Sequence, residues 1–312
     1  MNSLRQALQE YVDLRRGLGY KMRDEGLLLP RFVIFMEEQN AQHISAKLAL
    51  EWAQSGSVQP AEWARRLCFV RGFARHCSAT DSLTEIPPPG LLPHRSKRAK
   101  PHLYTEDEIR RLLEAALELP VARPSSLLRP WVFHGLFGLL SVTGMRLSEA
   151  LNLELADVDL EREVLTIRGA KFGQWRFVPI HPSTCAVLAE YIQRRAKFFR
   201  HPVTTYLFVS RSGTRLDTGR VHRVFYKLSH SIGLRAVGAS KGPRLHDFRH
   251  RFAVQTLTRW YQAGKDPGRE MPLLSNYLGH VCIAGTYWYL SANPELMAQA
   301  MTRMEHRWSA SS

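Results

Sequence analysis

The sequence predicts a mainly α protein with one small β-hairpin, organised as two domains. Three observations carry this. Apolar residues recur near a 3.6-residue period through most of the 312 positions. The stretch "EVLTIRGAKFGQWRFVPI" instead alternates like a pair of strands about a glycine-bearing turn. Between two helical blocks lies "EIPPPGLLPHRSKRAKP", whose three consecutive prolines and basic cluster read as an extended linker. The resulting boundaries are a helical domain over 1–87, a linker over 88–103 and a larger domain over 104–312 that ends in a helix. With 45% hydrophobic residues, a chain of this length can bury a core in each.

Taken in order, "SLRQALQEYVDLRRGLGY" places Leu4, Leu8, Tyr11 and Val12 on one helical face. "LLPRFVIFMEEQ" and "KLALEWAQ" repeat the style, and "PAEWARRLCFVRGFARHC" starts a helix on Pro60. After the linker, Thr105 and Glu108 form a capping-box pattern ahead of a stripe at Leu112, Leu113 and Ala116. "WVFHGLFGLLSVTG" is apolar all round, so it predicts a buried helix ending near Gly144. "RLSEALNLELADVDL" predicts another helix handing over to a turn, and the hairpin follows. Helices are expected in "PSTCAVLAEYIQRRAKFF", "TGRVHRVFYKLSHSIG", "LHDFRHRFAVQTLTRWYQAG", "LLSNYLGH" and "PELMAQAMTRMEHRW". The last is amphipathic, through Leu296, Met297, Ala300, Met301 and Met304.

Formal net charge is +15 and the isoelectric point is near 10.0. Such an excess favours a polyanionic partner, nucleic acid before an anionic membrane surface. In the linker, Arg95, Lys97, Arg98 and Lys100 form a strap suited to phosphates, although a solvated loop would look the same. No apolar run is long enough for a membrane span, and the first residues lack the apolar core and cleavage site of a secretory leader. Four cysteines without a CxxC pair fit reduced thiols in a cytoplasm, with neither disulfide nor zinc expected.

Four short stretches hold the polar chemistry. "TGMRLSEAL" sets Arg146 three residues before Glu149, close enough to pair on a helix. The turn "GAKFGQ" carries Lys171 between glycines, "RLHDFRHRFA" sets His246 three before Arg249, and "LLSNYLGHVCIAGTYWYLSA" sets His280 nine before Tyr289. Each pair alone is ordinary surface chemistry. Together they form a kit for phosphoryl transfer in which no metal or other cofactor is expected. Guanidinium groups grip non-bridging phosphate oxygens. A tyrosine can form a covalent phospho-enzyme, a lysine can protonate a leaving oxygen, and histidines can bond phosphate or move protons near neutral pH.

These stretches resemble the tyrosine recombinases, the phage integrase family. The family pattern is an arginine in "TG-x-R-x-x-E", a hairpin lysine, "H-x-x-R-H", then "LGH" and a tyrosine nine residues later. Here it reads "TGMRLSE", "GAKFGQWRFVPI", "HDFRH", "LGH" and Tyr289, in order, across about residues 101 to 300. The resemblance implies a helical, SAM-like core-binding domain followed by an α+β catalytic domain. The interval selects Tyr289 over Tyr287, which is expected to pack or to neighbour the site. Two departures stand out: Arg249 and His280 lie 31 positions apart, longer than the common form, and "LGHVCIAGT" replaces the usual "LGHSSIxTT".

What the resemblance implies is specific. Tyr289 would form a 3′-phosphotyrosine, Arg146 and Arg249 would clamp the phosphate, and Lys171 would protonate the leaving 5′-oxygen. His246 would accept the tyrosine proton or bond phosphate, His280 would donate a hydrogen bond, and Glu149 would orient Arg146. Neither metal nor ATP would be required. The expected partner is double-stranded DNA, bound by a homo-tetramer or a mixed recombinase assembly in the cytoplasm, at the nucleoid. Mobile-element integration, excision or transposition is the expected setting. An inactive DNA-binding accessory protein and a type IB topoisomerase are the alternatives.

Overall fold

The computed structural model describes residues 4–57, 59–92, 100–168, 175–199, 201, 203–239, 241–280, 284–291, 297–298 and 301–302. Lys171, three of the four linker cations (Arg95, Lys97, Arg98), Val281 and Cys282 lie outside them, as does most of the terminal helix expected from Pro294 to Trp308. The chain divides into two compact units, Met1–Ala99 and Lys100–Ser312.

The first unit packs four helices: α1 (Leu4–Gly17), α2 (Glu25–Glu38), α3 (Ala46–Gln54) and α4 (Pro60–Cys77). Their apolar stripes meet in a core of Leu29, Phe32, Met36, Ile44, Val70 and Phe73, all fully buried. Full burial of each such side chain contributes about 1.5–3 kcal/mol. Trp52 closes this core edge-on against Phe32. The start of the proline-rich segment is fastened to this unit: Arg71 donates to the carbonyls of Pro87 and Pro88 at 2.6 and 3.0 Å.

The second unit is built around α6 (Arg129–Thr143), which packs against α5 (Glu106–Leu117), α8 (Pro182–Phe198) and α10 (Asp247–Gln262). Ten of its residues are buried, as its apolar circumference predicts. It stops where Gly144 takes a left-handed conformation, φ 61°, which glycine adopts without steric cost. The capping box forms as expected. Thr105 Oγ1 accepts from the Glu108 amide at 3.1 Å, and the Glu108 carboxylate accepts from the Thr105 amide at 2.8 Å. Thr105→Ala should therefore cost about 1 kcal/mol, read as a lower urea midpoint with an unchanged slope.

Beside this helical layer sits a three-stranded antiparallel sheet in the order β1 (Val158–Asp159), β2 (Val164–Ile167), β3 (Arg176–Pro179). Leu165 pairs with Val178 and Ile167 with Arg176, so these four share the inward face. Phe177 points the other way and is exposed. The helix expected through "RLSEALNLELADVDL" is corrected: α7 covers Leu147–Ala150 only. Long-range backbone bonds take over, from the Leu155 amide to the Thr205 carbonyl and from the Leu207 amide to the Leu153 carbonyl. Asp157 adds a local competitor by accepting from the Glu154 amide.

Helices α9 (Thr218–Ser231), α11 (Pro267–Leu278) and α12 (Ala284–Ser291) complete the unit. The long Arg249–His280 interval goes mainly into helix. Helix α10 runs on to Gln262, and Asp266 caps an early start of α11 by accepting from the Gly268 amide. A small second core of Ala253, Leu257, Met271, Leu274, Leu278 and Tyr289 joins α10, α11 and α12. Among the described residues, no helix is long and apolar enough to cross a membrane.

Candidate active site

The polar stretches separated in sequence converge at the C-terminal end of α11. A helix end leaves its last carbonyls without intrahelical donors, and the dipole makes that end negative. Three consecutive carbonyls there each accept from a different arginine. Arg176 Nε donates to Tyr277 at 2.9 Å, Arg249 Nη2 to Leu278 at 2.6 Å and Arg146 Nη2 to Gly279 at 2.8 Å. Arg249 Nη1 also donates to the Gly144 carbonyl at 3.0 Å, tying the ends of α6 and α11 together.

Glu149 is the counter-ion of the group. Its Oε1 accepts from Arg146 Nη1 at 2.7 Å, and its Oε2 accepts from the Arg146 amide at 2.8 Å. Arg176 grips both oxygens, at 3.0 and 2.7 Å. Burial acts to raise the Glu149 pKa, but hydrogen bonds and charge from Arg176, then Arg146, outweigh it and hold the carboxyl below its usual range. Two of the five N–H groups that an arginine head carries are engaged on Arg146, and its side chain is 30% exposed, so it can still meet an anion.

Tyr289 is 2% exposed. Its ring lies 5.4 Å from that of His250 and 6.0 Å, stacked, from that of His280. Arg249 and the Tyr289 side chain are close enough to interact electrostatically. Burial first, then the like charge of Arg146, pushes the Arg249 pKa down to about 10, so the guanidinium stays charged at neutral pH. His280 Nδ1 is 2.6 Å from the hydroxyl of buried Thr286, which fixes the ring. His246 sits at the N-cap of α10, open to solvent, and meets His250 edge-to-face at 4.7 Å.

Burial, followed by neighbouring charged groups, lowers the pKa values of His250 and His280. For His250 and His280 the value is about 4, against an ordinary 6.5. The unfolded chain therefore binds more protons between those limits, and stability falls as pH drops from about 6.5 towards 4. Thermal midpoints should fall as the pH is lowered across that window, and midpoints that rise on acidification would contradict neutral imidazoles in the folded state.

Gly279 sits where the arginines crowd. Its φ is +66°, and a Cβ there would lie 2.8 Å from Arg176 Nη1. Gly279→Ala should strain the turn and displace the Arg176 head. We expect about 1–3 kcal/mol of lost stability, with slower catalysis. Unchanged melting and activity would show that the turn tolerates the methyl group.

Of the sequence-derived candidates, Arg146, Glu149, Arg249, His280 and Tyr289 come together, with His246 at the mouth. Lys171 lies outside the described residues, and Lys100, the one described linker cation, is exposed. Tyr287 is 45% exposed rather than packed. Sequence reasoning passed over His250 and Arg176. The second histidine of "HDFRH" signalled the first. For Arg176 the signal was an arginine on the inward face of a strand, two residues from Val178, where a charge needs a partner.

Two guanidiniums, a nearby trio of imidazoles and a phenol can stabilise an anionic phosphoryl centre and attack it. Comparison with known proteins gives the family. The phage integrase family matches residues 103–295. The putative integrase/recombinase y4rB of Sinorhizobium fredii (strain NGR234) is 55% identical over 310 residues, 99% of both chains. A second protein of that strain, y4rE, is 30% identical over 96% of this chain and 95% of its own. The Tn1549 transposon integrase, solved in complex with transposon right end DNA, shares the fold. Its TM-score is 0.64 at 17% identity, over 96% of this chain and 98% of that one. The chain belongs to the phage integrase family and is a tyrosine-type site-specific DNA recombinase.

Proposed function

We propose that Tyr289 cleaves one DNA strand by attacking the scissile phosphorus. Its phenolic oxygen bonds to phosphorus, the bond to the 5′-oxygen breaks, and a 3′-phosphotyrosine remains beside a free 5′-hydroxyl. Lys171 supplies the proton that the leaving oxygen takes up. His246, with His250 between it and Tyr289, accepts the phenolic proton. Arg146 and Arg249 hold the non-bridging oxygens, and His280 adds a hydrogen bond through Nε2, since Nδ1 faces Thr286. Attack by a 5′-hydroxyl from a partner strand reverses the step and completes the exchange. The linker cations Arg95, Lys97, Arg98 and Lys100 hold the DNA backbone.

The observation that carries this reading is Tyr289 packed against the rings of His250 and His280, with Arg249 beside it, within one chain. Tyr289 and Arg249 are each 2% exposed, so the phosphate reaches them only when α12 shifts. On arrival it replaces the phenol on Arg249 and frees the nucleophile. The integrase/recombinase relatives support a role in mobile-element integration, excision or transposition. Action in the cytoplasm at the nucleoid, by a tetramer or a mixed set of recombinases, belongs to the same reading.

A nicked suicide substrate followed by a two-site exchange assay tests it. Covalent capture with exchange, undiminished by EDTA, is expected. Relaxation of supercoils without exchange would favour a topoisomerase, and binding without capture an accessory protein.

A further inference from the structure

We propose that Arg176 is a positioning residue for strand cleavage, which occupies Glu149 so that the charge of Arg146 stays available to the scissile phosphate. The inference rests on the reading of Arg146 as a phosphate clamp.

Charge counting gives the reason. Arg146 and Arg176 both bond one carboxylate, Glu149, while the nearby Arg249 donates to the Gly144 and Leu278 carbonyls. Arg176 and Glu149 are the buried partners, with side chains 8% and 7% exposed, whereas Arg146 is 30% exposed. The Arg176 grip is two-pronged, the stronger geometry for this pair of groups. Arg146 has one side-chain bond to the same carboxylate and keeps N–H groups for another anion.

Without Arg176, the buried carboxylate would be left with Arg146 as its sole guanidinium partner. Its Oε2 would keep only the Arg146 amide, and a buried carboxylate charge with so little compensation is costly, so Glu149 would draw the Arg146 head into a two-pronged pair and away from the phosphate. Arg176 prevents this, and it is itself held by the Tyr277 carbonyl. That carbonyl adjoins the two that hold Arg249 and Arg146, so all three heads share one ruler. Arg176 also opens β3, the strand that follows Lys171 in sequence, and so anchors that strand to the end of α11.

The test is the rate of covalent capture of a nicked suicide substrate, measured with DNA affinity and thermal melting. R176M should slow capture by about 10²-fold, the scale of a misplaced reacting group, with affinity little changed. Adding E149Q removes the carboxylate that would sequester Arg146. The double variant should capture roughly tenfold faster than R176M, a coupling usual for contacting residues. A merely structural Arg176 predicts a double variant no better than R176M, and that result overturns the proposal, as does R176M at wild-type rate. Should R176M not fold, R176K decides, because it keeps the cation without the planar fork. Folded R176K should retain more than roughly one tenth of wild-type capture, and a folded, inactive R176K contradicts the inference. Normal wild-type capture with R176M unaffected refutes this inference alone. A wild type that never captures the substrate refutes it together with the phosphate reading.

Discussion

Tyr289→Phe should form no covalent DNA complex and should still bind its site. The substitution removes one oxygen and keeps the ring between His250 and His280. Losing the covalent nucleophile should cost on the order of 10⁶ in rate, below detection in a capture assay. Losing one buried hydroxyl should cost only about 1 kcal/mol of stability. Gel shift and capture on the same nicked duplex separate the two effects. Tyr287→Phe is the control: that ring is 45% exposed, and capture should be unchanged. Residues two apart on a helix point about 200° away from each other, so the two tyrosines cannot exchange roles without rotating α12.

Arg249→Ala carries the second large effect. Removing one charge-stabilising donor should slow capture by about 10² to 10³-fold. It also takes a buried side chain out of the junction of α6, α10 and α11 and strips the Gly144 and Leu278 carbonyls of their donor. Each unsatisfied carbonyl should cost about 1–3 kcal/mol, so the melting temperature should fall as well. Arg249→Lys distinguishes the two losses. It keeps a cation at neutral pH but cannot bridge two carbonyls and a phosphate at once. A lysine variant that melts near wild type yet captures slowly would place the larger cost on the clamp. Full activity in the lysine variant would show that charge alone suffices.

Much of the site was legible because its signals are local. Gly144 marked the end of α6, Thr105 and Glu108 announced their box, and the spacing of Arg146 and Glu149 allowed the pair that forms. The hairpin followed from two-residue alternation. What could not be read depends on contacts far apart in sequence. Nothing within a few residues of Arg176 tells that it meets Glu149 or the Tyr277 carbonyl. The shared row of carbonyls at the end of α11 is a property of the packed helix, not of the letters "YLG". The segment after Ala150 reads as helix by composition, yet backbone bonds to Thr205 and Leu207 hold it otherwise. Choosing between the tyrosines needed the family interval; in the fold Tyr289 is buried and Tyr287 exposed.

One phenolic oxygen of this chain should become bonded to DNA phosphorus beside Arg249. The most direct measurement is to trap the complex on a nicked substrate, digest it with protease and nuclease, and sequence the nucleotide-bearing peptide by mass spectrometry. A single modified residue is expected, Tyr289, carrying the 3′-phosphate end of the cleaved strand. A nucleotide found on Tyr287 or any other side chain, or linked through its 5′ end, would contradict it.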